Sequence, residues 1–215
     1  MKLHLGCGEQ YLKGYVNIDF PINKHSVQQK CVADVYKDIL ALQYPFESVD
    51  EIRLHHVFEH FPRPLALALL ASWWSWLKVG GLVRIEVPDF DRSALRVLNP
   101  FISTKQKYVA LRHIFGSQEA SWATHCEGWS EDRLKTVLTK FGFQPKKANK
   151  NSWKGTYNIE IFATKINKDM GKKEFEHTAE SVLANYLVDR FSSEMRLLQV
   201  WMKIYKEQVS KTWAK

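Results

Sequence analysis

Four residues able to contact a nucleoside follow the first three strands that the sequence predicts. Gly6 and Gly8 follow the first strand, Asp19 ends the second, and Asp38 follows the third. Glycines let backbone amides approach an anionic group closely. An acid at the second strand end can accept hydrogen bonds from both ribose hydroxyls, and Asp38 is placed to accept one from an adenine amino group. Each carboxylate alone is equally typical of a cap or turn, but together the set favours a nucleoside cofactor.

These residues need a parallel sheet whose strand ends meet at one edge. Helices are predicted over Pro64–Leu77, with Gly80–Gly81 as its stop, and over Glu131–Phe141. Alternation of strands with helices predicts a parallel sheet that binds ligands at its carboxyl edge. Because only a short loop joins Gly8 to the second strand, the usual first crossover helix should be absent. The predicted strands are Leu3–Leu5, Tyr15–Phe20, Cys31–Ala33, Val49–Val57, Leu82–Val87 and Tyr157–Ala163.

Three stretches resemble, in order, the motifs of class I S-adenosylmethionine (SAM)-dependent methyltransferases. The first two motifs are matched by LHLGCGEQYLKGYVNID, the next two by DILALQYPFESVDEIRLHHVFEHF, and the following helix–Gly–Gly–strand by WLKVGGLVRIEVPDFD. The resemblance implies a Rossmann-like α/β fold, with a mostly parallel seven-stranded sheet and helices on both faces, and SAM as cofactor. The cofactor contacts it implies are Leu5, Gly6, Cys7, Gly8, Asp19, Phe20, Asp38, Ile39, His55 and His56.

More narrowly, the chain is similar to predicted methyltransferases found among polysaccharide and glycan biosynthesis genes. The shared features are a later histidine, a Gly-Trp pair before a helix, and a Gly-Phe pair followed by a tryptophan-bearing turn and a strand. Here these are His125, Gly128–Trp129, Gly142–Phe143 and Trp153. This resemblance implies O-methylation of a sugar hydroxyl in a glycan or glycan precursor. It also implies an acceptor lid that contains Trp122, His125 and Trp129.

A hydroxyl acceptor must lose its proton, and a nearby base speeds such a step by about 10²–10⁴-fold. The candidates are His125, Asp89, His56 and His60. We predict that His125 is the base and that Asp89 orients it, although a purely structural hydrogen-bonding role for His125 is an open alternative. The acceptor contacts are predicted to be Trp122, Trp129 and Asp91.

A network that anchors the turn after the fourth strand is the favoured role for Glu59 and His60. His55 and His56 should point to opposite faces of that strand. We therefore expect no three-histidine metal site with His60, and no metal.

Two other functions stay open at this stage. The formal charge of +8 is compatible with a methyltransferase for nucleic acid or protein. No appended nucleic-acid module is evident, so a nucleic-acid partner is disfavoured. A non-catalytic partner protein is the other alternative, because His4 replaces a common acid and Gln10 replaces the common third glycine.

The cysteine pattern and the N-terminus favour a cytoplasmic protein. The three cysteines include no CxxC pair, which argues against a disulfide framework or zinc knuckle. The N-terminus lacks a signal-peptide pattern, and no apolar run reaches the roughly 18 residues of a transmembrane helix.

The methyltransferase domain is predicted to span residues 1–165, followed by an amphipathic helical extension over 166–215. A charged linker, Lys165–Lys173, begins this extension. Apolar residues then recur at helical spacing from Leu183 to Val209. This stripe suits a homodimer interface, packing on its own domain or, less favoured, a membrane surface.

Overall fold

The computed structural model describes residues 1–21, 30, 32–166 and 169–213, and one seven-stranded sheet forms its centre. The strands lie in the order β3-β2-β1-β4-β5-β7-β6. All pairings among the first five are parallel, and β7 runs antiparallel to both of its neighbours. The predicted mostly parallel sheet is thus confirmed. The strands are β1 Lys2–Leu5, β2 Val16–Asp19, β3 Val35–Tyr36, β4 Val49–His55, β5 Leu77–Pro88, β6 Phe143–Trp153 and β7 Thr156–Lys165.

Six α-helices surround the sheet in the described part of the chain. The two predicted for the first 165 residues are confirmed within one residue at each end, and Ser130 caps the second by accepting a hydrogen bond from the Arg133 amide. No described helix is long and apolar enough to cross a membrane. The helices are α1 Arg63–Trp76, α2 Phe90–Leu98, α3 Thr104–Phe115, α4 Glu131–Lys140, α5 Lys172–Ala184 and α6 Ser192–Thr212. Short 3₁₀ turns cover Ile39–Ala41, Phe58–His60 and Ser121–Ala123.

The connection between β1 and β2 contains no helix, as predicted. The two strands are nevertheless parallel, with Leu3 paired to Val16 and Leu5 to Ile18. The ten residues between them form only turns and bends. A nucleoside at this edge therefore meets a loop and strand ends rather than the N-terminus of a first crossover helix.

Two predicted boundaries are wrong. The third strand is Val35–Tyr36 rather than Cys31–Ala33, of which Cys31 lies outside the described residues. The first helix ends at Trp76 and β5 begins at the next residue, so Gly80–Gly81 lie inside a strand. The strand rather than a glycine ends the helix, since Leu77 already has extended backbone.

A strand that the sequence pattern missed, β6, forms one edge of the sheet. Most of its exposed side chains are polar, including Lys146, Lys147 and Lys150, and Trp153 at its end is exposed as well, so no apolar alternation marks it. Its pairing with β7 also shifts register between Pro145 and Lys147. Polar edge strands with proline and a bulge are common, because one side of such a strand has no partner.

The C-terminal helices pack against α1 of the same chain. Trp73 and Trp76 of α1 are fully buried, as a core role predicts. The Trp76 indole nitrogen donates to the Thr212 carbonyl at 3.0 Å, and the Gln208 amide donates to the Leu40 carbonyl at 2.7 Å. Part of the apolar stripe of the tail, from Leu198 to Val209, is thus buried within the chain, whereas Phe191 is exposed.

Lys165 ends β7 and is buried, whereas the sequence placed it at the start of a charged linker. Its ammonium group donates to the Leu77 carbonyl at 2.8 Å and lies 3.0 Å from a Glu47 carboxylate oxygen. It also lies 4.0 Å from the centre of the Trp74 ring. Burial lowers the pKa of Lys165, against the opposing effect of Glu47.

Candidate functional site

A cavity of about 290 Å³ opens at the carboxyl ends of β1, β2 and β4. The first three strands contribute loops to it, and the 3₁₀ turn after β4 and the start of α1 complete it. Six of the residues predicted for cofactor or acceptor binding line this one cavity. They are Gly6, Asp19, Phe20, Asp38, His56 and Trp122.

The glycine loop contributes to this cavity by its shape more than by its amides. The amides of Gly6 and Cys7 both donate to the Ile18 carbonyl, at 2.9 and 3.1 Å, and the Gly8 amide donates to Asp19. The three amides are therefore engaged within the protein, which corrects the expectation that they bind an anionic group. Gly6 has φ +66° and a Cβ there would lie 2.3 Å from a Val57 methyl group, so only glycine fits.

Asp19 and Asp38 line the cavity and are held there by backbone amides. The Asp19 carboxylate accepts hydrogen bonds from the Gly8 and Phe20 amides. Asp38 Oδ1 accepts one from the Leu40 amide at 2.8 Å and so caps the following 3₁₀ turn. These bonds fix the orientation of each side chain at the cavity wall.

Five predicted cofactor residues do not line the cavity, and one of them is Gly8 of the loop described above. Leu5, Cys7 and Ile39 are buried in the core beneath it. His55 lies outside it and pairs with Glu86 of β5 at 3.2 Å. Side chains alternate between the two faces of a strand. A residue next to a motif residue in the sequence therefore need not line the cavity.

A second cavity, of about 340 Å³, adjoins the first through three shared lining residues: His56, His60 and Trp122. Its other walls include Arg112 and His113 of α3 and the loop before α4, with His125. The backbone bridge between Gly116 and Thr124 holds this loop. A nucleoside in the first cavity would thus adjoin an acceptor in the second.

His56 departs from strand geometry and brings its ring to this junction. Its φ is +53°, and its amide donates to the Glu86 carbonyl at 2.9 Å. The rings of His55 and His56 consequently lie 4.8 Å apart, although strand alternation predicts that they point to opposite faces. Burial lowers the pKa of His56, but the carboxylates of Glu59 and Glu86 outweigh it and raise the pKa above its usual value.

Glu59 is the carboxylate at the centre of the histidine cluster. It is 1% exposed, and its oxygen Oε1 lies 3.3 Å from His56 Nδ1 and 3.8 Å from His125 Nε2. The His60 and His125 rings meet edge to face at 4.7 Å. Burial raises the pKa of Glu59, but the imidazoles of His56, His60 and His125 hold it below its usual value.

His125 lies in the second cavity, but Asp89 does not orient it. The Asp89 carboxylate caps α2 by accepting a hydrogen bond from the Arg92 amide at 3.2 Å. The acid that faces His125 is Glu59, for which a purely anchoring role was favoured. Burial lowers the pKa of His125, against the opposing effect of Glu59.

Two of the predicted acceptor contacts also lie away from both cavities. Trp129 is 2% exposed and stacks on Phe58 in the core. Asp91 is exposed in the first turn of α2. Trp122 is the predicted aromatic contact that does reach the site, because it lines both cavities.

Sequence reasoning missed two residues of this region. His113 lies on α3, where its Nε2 is 2.9 Å from the Tyr157 carbonyl, and its ring is 5.9 Å from that of His56. Glu86 lies on β5 and pairs with His55. Glu86 could have been found as an acid near the end of an otherwise apolar strand, whereas no local pattern marks His113.

Comparison with known proteins identifies the fold. No family model and no curated protein matches this chain. A SAM-dependent methyltransferase from Methanosarcina mazei is 16% identical over 78% of this chain and 92% of its own, with a TM-score of 0.51. A chain of the Haloferax volcanii complex between the Trm112 methyltransferase activator and a candidate methyltransferase is 13% identical over 79% of this chain and 83% of its own, with a TM-score of 0.54.

Identities this low establish the fold alone. The protein has the class I SAM-dependent methyltransferase fold, and the predicted fold class is confirmed. What the chain binds and methylates has to be argued from its own residues.

Proposed function

We propose that this protein is a SAM-dependent methyltransferase that O-methylates a sugar hydroxyl of a glycan or glycan precursor. The observation that carries the proposal is the pair of adjoining cavities. One is lined by Gly6, Asp19 and Asp38 at the strand ends, and the other by His125 and its neighbouring imidazoles. The first matches a nucleoside cofactor, and the second adjoins it where an acceptor would sit.

In the first cavity, Asp19 would accept hydrogen bonds from the ribose hydroxyls and Asp38 one from the adenine amino group. Both side chains are already fixed by backbone amides, so little ordering is required when ligand binds. The sulfonium methyl group is already activated, so the protein mainly aligns donor and acceptor.

In the second cavity, the acceptor hydroxyl would lose its proton as its oxygen attacks the methyl carbon. We assign this step to His125, because its ring lines the second cavity. The half-buried Trp122 lies at the junction of both cavities and offers an aromatic surface to a sugar. The resemblance to glycan-associated methyltransferases supports a sugar rather than another hydroxyl compound.

The first test is calorimetric titration with SAM and S-adenosylhomocysteine. We expect saturable one-to-one binding, and no binding at high micromolar ligand would contradict a methyltransferase function. Asp19→Ala should weaken the affinity at least about tenfold, the effect of losing about 1.4 kcal/mol of contact.

Two controls separate the ribose contact from damage to the loop. Asp19→Asn keeps an oxygen for the Gly8 amide, so its fold should be retained while its affinity falls. Asp132→Ala removes an exposed acid of α4 and should bind like the wild type. Wild-type affinity in Asp19→Ala would mean that this carboxylate does not contact the cofactor.

A further inference from the structure

The strongest unexplained feature outside the cofactor cavity is the carboxylate of Glu59. Within the described residues, neither of its oxygens makes a hydrogen bond, although the side chain is 1% exposed. His56 Nδ1 is 3.3 Å from Oε1 but outside hydrogen-bond geometry. His56 forms an ion pair with this carboxylate, but a buried carboxylate is costly unless it is also hydrogen-bonded, so a bound cation would stabilise it further.

The backbone holds Glu59 where it is. Its carbonyl accepts hydrogen bonds from the amides of Cys126 and Glu127, at 2.8 and 3.2 Å. These bonds also fix the segment that carries His125.

Two histidines present ring nitrogens to this carboxylate. His60 Nδ1 lies 3.2 Å from the Thr124 carbonyl, and a proton shared there leaves Nε2 with its lone pair. A backbone carbonyl behind the ring is the usual partner of a metal-binding histidine. His125 Nε2 lies 3.8 Å from Glu59 Oε1.

The three groups converge closely enough to share one ion. One ligand atom each from Glu59, His60 and His125 lie within 4.8 Å of one another. Ligand atoms bound at about 2.0–2.2 Å in a tetrahedral zinc site are about 3.3–3.6 Å apart. Side-chain rotations that shorten the distances between these ligand atoms by about 1 Å would bring them to the spacing of a zinc site.

The neighbouring set of His55, His56 and Glu86 also converges within this limit but differs in one respect. The Glu86 carboxylate accepts a hydrogen bond from Asn151 at 3.1 Å and pairs with His55 at 3.2 Å. Glu86 therefore has both an ion pair and a hydrogen bond. The Glu59 carboxylate has ion pairs with His56 and His125 but, among the described residues, no hydrogen bond.

We propose that Glu59, His60 and His125 form a binding site for one divalent transition-metal ion. Two imidazoles and one carboxylate suit Zn²⁺, Co²⁺ or Fe²⁺, whereas Mg²⁺ and Ca²⁺ prefer oxygen ligands. Three protein ligands leave a coordination position open. His60 lines both cavities and His125 the second, so this position faces the junction between them.

The consequence for catalysis rests on the proposed function. A metal at this point would bind the acceptor hydroxyl and lower its pKa, so that its proton could pass to solvent water. The metal would also occupy the His125 lone pair, so in the metal-bound protein His125 would act as a ligand and water would take the place of His125 as proton acceptor. Metal binding as such does not depend on SAM or on the identity of the acceptor.

The test uses the full chain stripped of metal with a chelator and then titrated with Zn²⁺, Co²⁺ or Mg²⁺. We expect one Zn²⁺ or Co²⁺ per chain, visible absorption bands from bound Co²⁺, and no comparable binding of Mg²⁺. Glu59→Gln and His125→Ala should weaken Zn²⁺ binding by at least about a hundredfold, beyond the loss usual for outer-shell changes.

Matched controls exclude adventitious binding. His177→Ala removes an exposed histidine of α5, and Cys126→Ser removes an exposed thiol next to the site. Both should bind Zn²⁺ like the wild type. If Glu59→Gln does not fold, the Zn²⁺ affinities of His60→Ala and His125→Ala test the site instead.

Absence of Co²⁺ bands in the wild type, or equal Zn²⁺ affinity in the wild type and His125→Ala, would overturn the metal site. Calorimetry with SAM is a separate measurement on the same samples. Failure of metal binding with intact SAM binding would leave the methyltransferase proposal standing, and the reverse result would leave the metal site standing.

Discussion

The two adjoining cavities differ in how their walls are assembled from the chain. The first takes Gly6, Asp19 and Asp38 from segments that directly follow successive strands. The second collects its histidines from the turn after β4, from α3 and from the loop before α4. Residues at strand ends are positioned by local sequence, whereas the second wall depends on how distant segments pack.

The same difference separates the predicted residues that line a cavity from those that do not. In the first cavity, Asp19 and Asp38 lie where strand ends place them. Of the residues predicted near the acceptor, Asp89 caps a helix and Trp129 lies in the core. A chemically capable residue type near a motif is therefore weak evidence of a role unless an element carries it to the cavity.

The largest expected effect is on turnover, in the second cavity. His125→Ala should lower methyl transfer by about 10²–10⁴-fold, because activation of the hydroxyl is lost. SAM affinity should stay within about twofold of the wild type, as estimated from the separation of the two cavities. Turnover is measured as release of S-adenosylhomocysteine with an acceptor found by screening free and nucleotide-linked sugars.

His177→Ala is the matched control for His125→Ala, because His177 is an exposed histidine of α5. It should transfer methyl groups at the wild-type rate. If His125→Ala has the same turnover as His177→Ala, His125 does not activate the acceptor hydroxyl.

The next effect contrasts the two tryptophans predicted to contact the acceptor. Trp129→Ala should lower the free energy of unfolding by about 3–5 kcal/mol, because it opens a cavity beside Phe58. Trp122→Ala should cost about 1 kcal/mol or less, because this side chain is half-exposed, and should raise the KM for the acceptor. Urea denaturation measures the first quantity and steady-state kinetics the second.

Similar losses of stability in both tryptophan variants would mean that the core placement of Trp129 is wrong. If Trp129→Ala folds fully and raises the KM for the acceptor, the prediction that Trp129 contacts the acceptor would be supported.

The smallest effect concerns the two acids at the start of α2. Asp89→Ala removes the cap on the Arg92 amide and should lower the free energy of unfolding by about 1 kcal/mol. Asp91→Ala should change it by less than about 0.5 kcal/mol and leave the acceptor KM unchanged. A several-fold rise in the KM for the acceptor in Asp91→Ala would indicate that Asp91 does contact the acceptor.

Much of the fold could be predicted from the sequence, because β4 alternates, Ser130 marks the start of α4, and α1 is an apolar run of helical length with a proline in its first turn. The missing helix after β1 followed from loop length alone. The third strand was misplaced because Val35–Tyr36 is a two-residue strand with exposed side chains. The β6 strand was missed because an edge strand does not need alternating apolar residues.

The candidate site was predictable only where geometry is regular. His56 has a left-handed backbone that turns its ring away from the position expected for a strand residue. The buried state of Glu59 depends on Cys126 and Glu127, more than 60 positions further along the chain. Neither fact has a local signature, so the sequence indicated His56, Glu59 and His60 as neighbours but contained no sign that His113 and His125 join them.

The β6 edge of the sheet has a consequence for solubility and self-association. An open strand edge presents unpaired backbone groups that can recruit strands from other molecules. Here the edge combines exposed lysines with Pro145 and an irregular register, and the opposite edge strand is only two residues long. Like charges repel between molecules, and a proline has no amide to donate. These features disfavour extension of the sheet by a second molecule at either edge.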